Sequence, residues 1–77
     1  MDPRAWRKKQ AGLSLRAVAT RLGCASPQTV RRYETGEREV PNSIALAYAT
    51  ESGGAVTAKD LDRTRNRYLK SRSTEAA

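Results

Sequence analysis

The chain has no histidine and no phenylalanine, and its 77 residues include one cysteine, one methionine and one tryptophan. Without histidine the commonest general base is missing. Cys24 alone cannot build a Cys/His zinc site or an internal disulfide. No Gly-rich phosphate loop and no cluster of metal ligands is visible. An enzyme is therefore not expected, and neither is a cofactor. The first residues lack the apolar core of a signal peptide, and no apolar run is long enough to span a bilayer. A cytoplasmic, reducing location is the expectation. With phenylalanine absent, Trp6, Tyr33 and Tyr48 must supply much of the bulk of a modest core, in a chain long enough for one domain.

Acidic residues are also scarce. Fifteen Lys and Arg stand against eight Asp and Glu, a net charge of +7. A surplus that large in a small domain suggests a polyanionic partner. The surplus is unevenly placed. Residues 1–33 hold eight basic residues against Asp2, residues 34–62 hold two against six acids, and residues 63–72 hold five and no acid. A solvated surface is the ordinary meaning of such runs. The first basic zone, however, coincides with a two-helix unit.

That unit runs from Gly12 to Pro41. Before it, Asp2 and Pro3 open a first helix anchored by Trp6 and stopped near Ala11 by Gly12. Ser14 caps a second helix, in which Leu15, Val18, Ala19 and Leu22 recur at three- and four-residue spacing. Arg16, Thr20 and Arg21 fall off that stripe, toward solvent or phosphate. Gly23 ends this helix, and Cys24 and Ala25 form a turn. Ser26 and Pro27 then open a third helix that places Val30, Tyr33 and Glu34 inward. Gln28, Thr29, Arg31, Arg32 and Thr35 lie on its outer arc, and Gly36 stops it. After the loop GEREVP, Asn42 or Ser43 starts a fourth helix that buries Ile44, Ala47 and Tyr48 and ends at Gly53-Gly54. Thr57 and Asp60 form a capping box for a last helix holding Leu61, with a possible extension through Tyr68 and Leu69. The expected organisation is a domain over residues 1–70 and a disordered tail over 71–77.

The outer arc of the third helix carries the chemistry. Gln can donate and accept together, which suits adenine N6 and N7, and Arg can fork onto guanine O6 and N7. Phosphate contact is the alternative for each of these side chains, because half or more of protein–DNA hydrogen bonds go to the backbone. Arg4, Arg7, Lys8, Lys9, Arg16 and Arg21 read as nonspecific charge. Tyr33 reads as core, and Cys24 as a small apolar turn residue with no activating neighbour.

Several residues stand together in a recognisable order. They are Gly12-Leu13-Ser14, Val18-Ala19, Leu22-Gly23, Ser26-Pro27-Gln28, Val30, Tyr33-Glu34 and Gly36. This set resembles the Cro/CI-type (XRE-type) helix-turn-helix repressors. The downstream GEREVP and GGAVTAKDL are similar to small Cro-like and YdaS-like phage regulators. The resemblance covers about residues 4–62. It implies an all-α, lambda-repressor-like bundle of about five short helices. The third helix would enter the major groove of double-stranded DNA, and the second would cross the backbone with its N-terminus near a phosphate. By position, Pro27, Gln28 and Arg32 fall where family members touch bases, with Thr29 and Arg31 as adjacent candidates. Arg38 falls where members touch phosphate, and Ser14, Arg16, Ser26 and Ser43 complete that set. Glu34 matches an acid that pairs with a base on the first helix.

Two departures accompany the resemblance. The turn Cys24-Ala25-Ser26 is one residue longer than usual, which bears on the angle between the helices. Trp6 lies one residue too far from Gly12, so the partner of Glu34 is Arg7 or Lys8. If that pair is partly exposed, it contributes under about 1 kcal/mol.

The implied function is a sequence-specific regulator, phage- or prophage-like, repressing as a homodimer on an inverted repeat. No membrane and no small-molecule ligand are expected. Two other functions remain open. One is a protein-interaction module, such as an antitoxin or anti-host factor, using the acids around Glu37, Glu39, Glu51, Asp60 and Asp62. The other is RNA binding through the basic C-terminal segment.

Overall fold

The structure is a computed structural model that describes residues 1–24 and 26–76, with side chains through Arg72. Ala25 lies outside the described residues, and with it the expected effect of the longer turn. Among the described residues five helices pack around one core, as the resemblance implied: α1 (Pro3–Ala5 continued by Trp6–Ala11), α2 (Leu15–Leu22), α3 (Pro27–Thr35), α4 (Asn42–Glu51) and α5 (Ala58–Ala76). No described helix is long and apolar enough to cross a membrane.

The helix ends follow local chemistry. Asp2 Oδ2 accepts from the Ala5 amide at 3.0 Å, Ser14 Oγ from Ala17 at 3.1 Å and Ser26 Oγ from Thr29 at 3.4 Å. Each cap satisfies an amide that has no partner within its helix. At the start of α5 the capping box closes in both directions. Asp60 Oδ2 accepts from the Thr57 amide at 3.0 Å, and Thr57 Oγ1 accepts from the Asp60 amide at 3.3 Å. The Met1 ammonium, at 2.8 Å from Asp60, and these bonds hold the Asp60 carboxyl down at about 2.

Two features of the helices add to the sequence reading. The first helix is not uniform: it begins as an α-turn, Pro3–Ala5, and continues as a π-helix, Trp6–Ala11, the two together forming α1. The Gly12 amide bonds to the carbonyl of Arg7, five residues back. A π-turn accommodates one more residue than an α-turn. It thereby absorbs the extra residue between Trp6 and Gly12 and leaves Trp6 in the core, 5% exposed. The second feature is the length of α5, whose helical backbone runs from Ala58 to Ala76. No glycine or proline follows Gly54 to stop it.

Trp6, Val18, Leu22, Val30, Tyr48 and Leu61 form the centre of the core, with Trp6 edge-on to Tyr48 at 6.4 Å between ring centroids. Tyr33 and Glu34 are buried as expected. Glu34 pairs with Arg7: Nε donates to Oε2 at 2.5 Å and Nη2 to Oε1 at 3.1 Å. Arg7 Nη1 also donates to the carbonyl of Leu13 at 3.1 Å. The pair's side chains are only 11% and 4% exposed, so the small value expected for a partly exposed bridge does not apply. At the other end of α3, Gly36 has φ of +84° and lies against α5. A Cβ there would stand 2.5 Å from the carbonyl oxygen of Thr64. Arg65 fastens the same junction by donating to the carbonyls of Gly36 and Glu37, each at 2.9 Å.

Glu34→Ala should cost about 3–5 kcal/mol, because it leaves the Arg7 charge buried and unpaired. The double variant Arg7→Met, Glu34→Leu should regain most of that loss in urea denaturation. A loss below about 1 kcal/mol in the single variant would show that the pair does not hold the bundle. Tyr48 makes the opposite case. Its hydroxyl is fully buried with no partner among the described residues, and burial, with the nearby Glu34 carboxylate, pushes its pKa up. Tyr48→Phe removes an unsatisfied polar atom and should leave the melting temperature equal or higher. A clear fall would mean that the hydroxyl has a partner.

Candidate nucleic-acid interface

The 3.6-residue period divides α3 into two faces. Val30, Tyr33 and Glu34 point into the bundle, and Gln28, Arg31, Arg32 and Thr35 are exposed. The outer face stands as a ridge between two grooves. On the α1 side, Arg4, Arg7, Lys8, Leu15, Arg31, Glu34 and Thr35 line a cleft of about 260 Å³. On the α5 side, Gln28, Arg31, Arg32, Thr35, Glu37 and Tyr68 line an open groove of about 410 Å³. Arg31 and Thr35 border both and so form the crest.

The sequence-predicted base contacts divide by accessibility. Gln28, Arg31 and Arg32 are exposed, whereas Pro27 and Thr29 are half-buried at the start of the helix. The Thr29 hydroxyl is already engaged with Ser26 Oγ at 3.2 Å. Arg32 Nε lies 3.9 Å from Glu37 Oε2, with both side chains about half exposed. An exposed pair of this kind is worth under about 1 kcal/mol, so Arg32 can leave it for a better acceptor.

The candidate phosphate contacts are spread over four segments. Ser14 and Ser26 cap α2 and α3. Arg16 is exposed in the first turn of α2, and Ser43 in the first turn of α4. Arg38 is exposed in the loop after α3, where its amide donates to the carbonyl of Arg32 at 3.3 Å. Cys24 is half-buried, and burial raises its thiol pKa, the direction opposite to that of a reactive thiolate.

Sequence reasoning did not place α5 beside the ridge. Tyr68 lines the groove with Gln28 and Arg32, and the Arg72 guanidinium lies 5.9 Å from the Tyr68 ring centroid. Arg72 Nη1 also donates to the Tyr68 hydroxyl at 3.2 Å. The four-residue spacing of Tyr68 and Arg72 was the available signal, since such pairs stabilise a helix face.

Residues 4–59 match the helix-turn-helix domain family. Over 53 residues, 69% of this chain, the sequence is 45% identical to a protein of Pyrobaculum aerophilum that carries the name HTH-type transcriptional regulatory protein. The matched segment spans only 21% of that relative's length. No solved structure matches. With its family match covering α1 through the first turn of α5, the chain belongs to the helix-turn-helix domain family, in the Cro/CI (XRE) type that its landmark residues resemble.

Proposed function

We propose that this chain is a sequence-specific, DNA-binding transcriptional regulator that inserts the α3 ridge into the major groove. The reading rests above all on that ridge, which presents Gln28, Arg31 and Arg32 to solvent from a helix anchored at both ends. A rigid helix with exposed forked donors suits base-edge recognition. The name of the Pyrobaculum relative agrees with this role. Gln28 and Arg32 are the proposed base readers, with Pro27 and Thr29 shaping the first turn. Ser14, Arg16, Ser26, Arg38 and Ser43 are the proposed backbone contacts. The protein acts in the cytoplasm as a repressor, without catalysis, in the manner of small phage regulators. It binds an inverted repeat as a homodimer, with recognition helices about 34 Å apart, one turn of DNA.

Binding should weaken steeply with salt. If about six phosphates are neutralised per dimer, log K should fall against log salt with a slope near about −5. A slope near zero for duplex DNA, with the fold intact, overturns the reading. The role assignment is tested separately. Arg32→Ala should cost about 1–3 kcal/mol at one base pair and relax specificity there, whereas Arg38→Ala should weaken all sequences alike. Equal profiles for the two variants across single-base changes in a selected operator would show the roles to be misassigned.

A further inference from the structure

We propose that the groove between α1 and α3 seats one backbone phosphate of the bound duplex, held jointly by Arg4, Lys8 and Arg31. The proposal rests on the DNA-binding reading above and adds a site to it. Arg4 and Lys8 come from α1 and Arg31 from α3, and packing of the two helices brings all three to one cleft. Two more charged side chains line it, Arg7 and Glu34, and they neutralise each other. The third Arg7 contact is already made to Leu13. The Glu34 carboxylate is therefore committed to Arg7.

Three cations remain. The side chains of Arg4, Lys8 and Arg31 are exposed and make no hydrogen bond or ion pair among the described residues. Of the other exposed arginines, Arg21, Arg32 and Arg63 lie near Glu51, Glu37 and Asp60, whereas Arg16, Arg38 and Arg67 stand singly; the cleft differs in gathering three such cations in one place. Like charges gathered in one cleft repel, and an anion placed among them relieves that repulsion. Leu15, the first residue of α2, lines the same cleft, so the positive end of that helix adds to the potential.

The shape of the ridge places the anion. An α-helix with its side chains is about 10–12 Å across, and the major groove of B-DNA is about 12 Å wide. A helix seated there leaves little space on either side, and the sugar-phosphate strands run along its flanks. The α1–α3 groove is one flank of α3. Arg31 then positions the helix on a phosphate, and base reading falls to Gln28 and Arg32, which border the opposite groove. A cluster serving one phosphate also differs from three independently solvated charges in a measurable way. The counterion term counts phosphates neutralised, so three cations on one phosphate contribute about one unit together rather than about three.

The test is a salt series of fluorescence anisotropy titrations with a labelled operator duplex selected from a random pool. The variants are Arg4→Gln with Lys8→Gln, Arg31→Gln alone, and all three together. The triple variant should reduce the slope of log K against log salt by about one unit rather than about three, and neither partial variant should lose more than the triple. Base preference across single-base operator changes should stay that of the wild type. Melting temperature at low salt should be equal or higher, because repulsion is relieved and no bond is lost. The proposal is overturned by an unchanged slope in the triple variant, by a loss of about three units in it, by altered base preference in Arg31→Gln, or by a lower melting temperature in all three. Displacement of the duplex by micromolar inorganic phosphate at constant ionic strength would assign the groove to a free anion and also overturn it. A wild-type slope near zero would sink the DNA-binding reading itself, an outcome distinct from wild-type binding with unaffected variants.

Discussion

The guanidinium of Arg7 joins three parts of the molecule: two of its bonds go to Glu34 on α3, and another reaches the carbonyl of Leu13 ahead of α2. The position of α3 relative to α1 and α2 depends on this side chain. Apolar residues of similar volume can match a buried ion pair in stability. They cannot reproduce its directionality, since a planar fork accepts a carboxylate in few orientations. The π-turn is what makes the pairing possible. By taking up one residue between Trp6 and Gly12, it lets Trp6 stay in the core while Arg7 meets Glu34. Lys8, the next residue, is left exposed in the cleft beside Arg31.

The far end of α3 is held by different means. Gly36 allows α5 to approach so closely that a methyl group would collide with the Thr64 carbonyl, and Arg65 binds the two carbonyls that follow α3. The Ser26 cap fixes the first turn. The helix is thus tied at its start, its inner face and its end, with only the outer arc free. Prior ordering of this kind lowers the entropy lost when a ligand fixes the helix. It also confines adjustment on binding to exposed side chains such as Arg32, whose link to Glu37 is weak.

Helix ends were legible in the sequence because their chemistry is local. Ser14, Ser26 and the Thr57–Asp60 box act within a few residues, and Gly12, Gly23 and Gly36 adopt positive φ where each helix stops. The inward set Val30, Tyr33 and Glu34 followed from helical period. The choice between Arg7 and Lys8 was not legible, because it depends on a π-turn selected by packing against α3. The length of α5 was obscured by its charge, although Tyr68 and Arg72 support each other one turn apart. The orphan hydroxyl of Tyr48 gave no sequence signal at all, since its cost lies in what surrounds it. The meeting of Arg4, Lys8 and Arg31 belongs with these, as charges that look like an ordinary solvated run until two helices pack.

Charge pairing in this fold follows position. Arg7 is neutralised where it is buried, because an unpaired ion there would be destabilising. Arg65 is engaged where it ties α5 to the end of α3, and Arg72 is engaged with Tyr68 one turn back on α5 itself. Arg31, on the crest of the ridge, has no ion-pair partner among the described residues. Exposed like charges cost little stability in water, where screening is strong, yet they create a potential that attracts a polyanion. A bundle with a modest core can carry a net charge of +7 on these terms, provided that the cations near its core are matched. The buried pair and the unpaired crest are therefore two parts of one arrangement. Glu34 satisfies the arginine that folding requires, and the remaining cations of the groove stay available to an anion from outside.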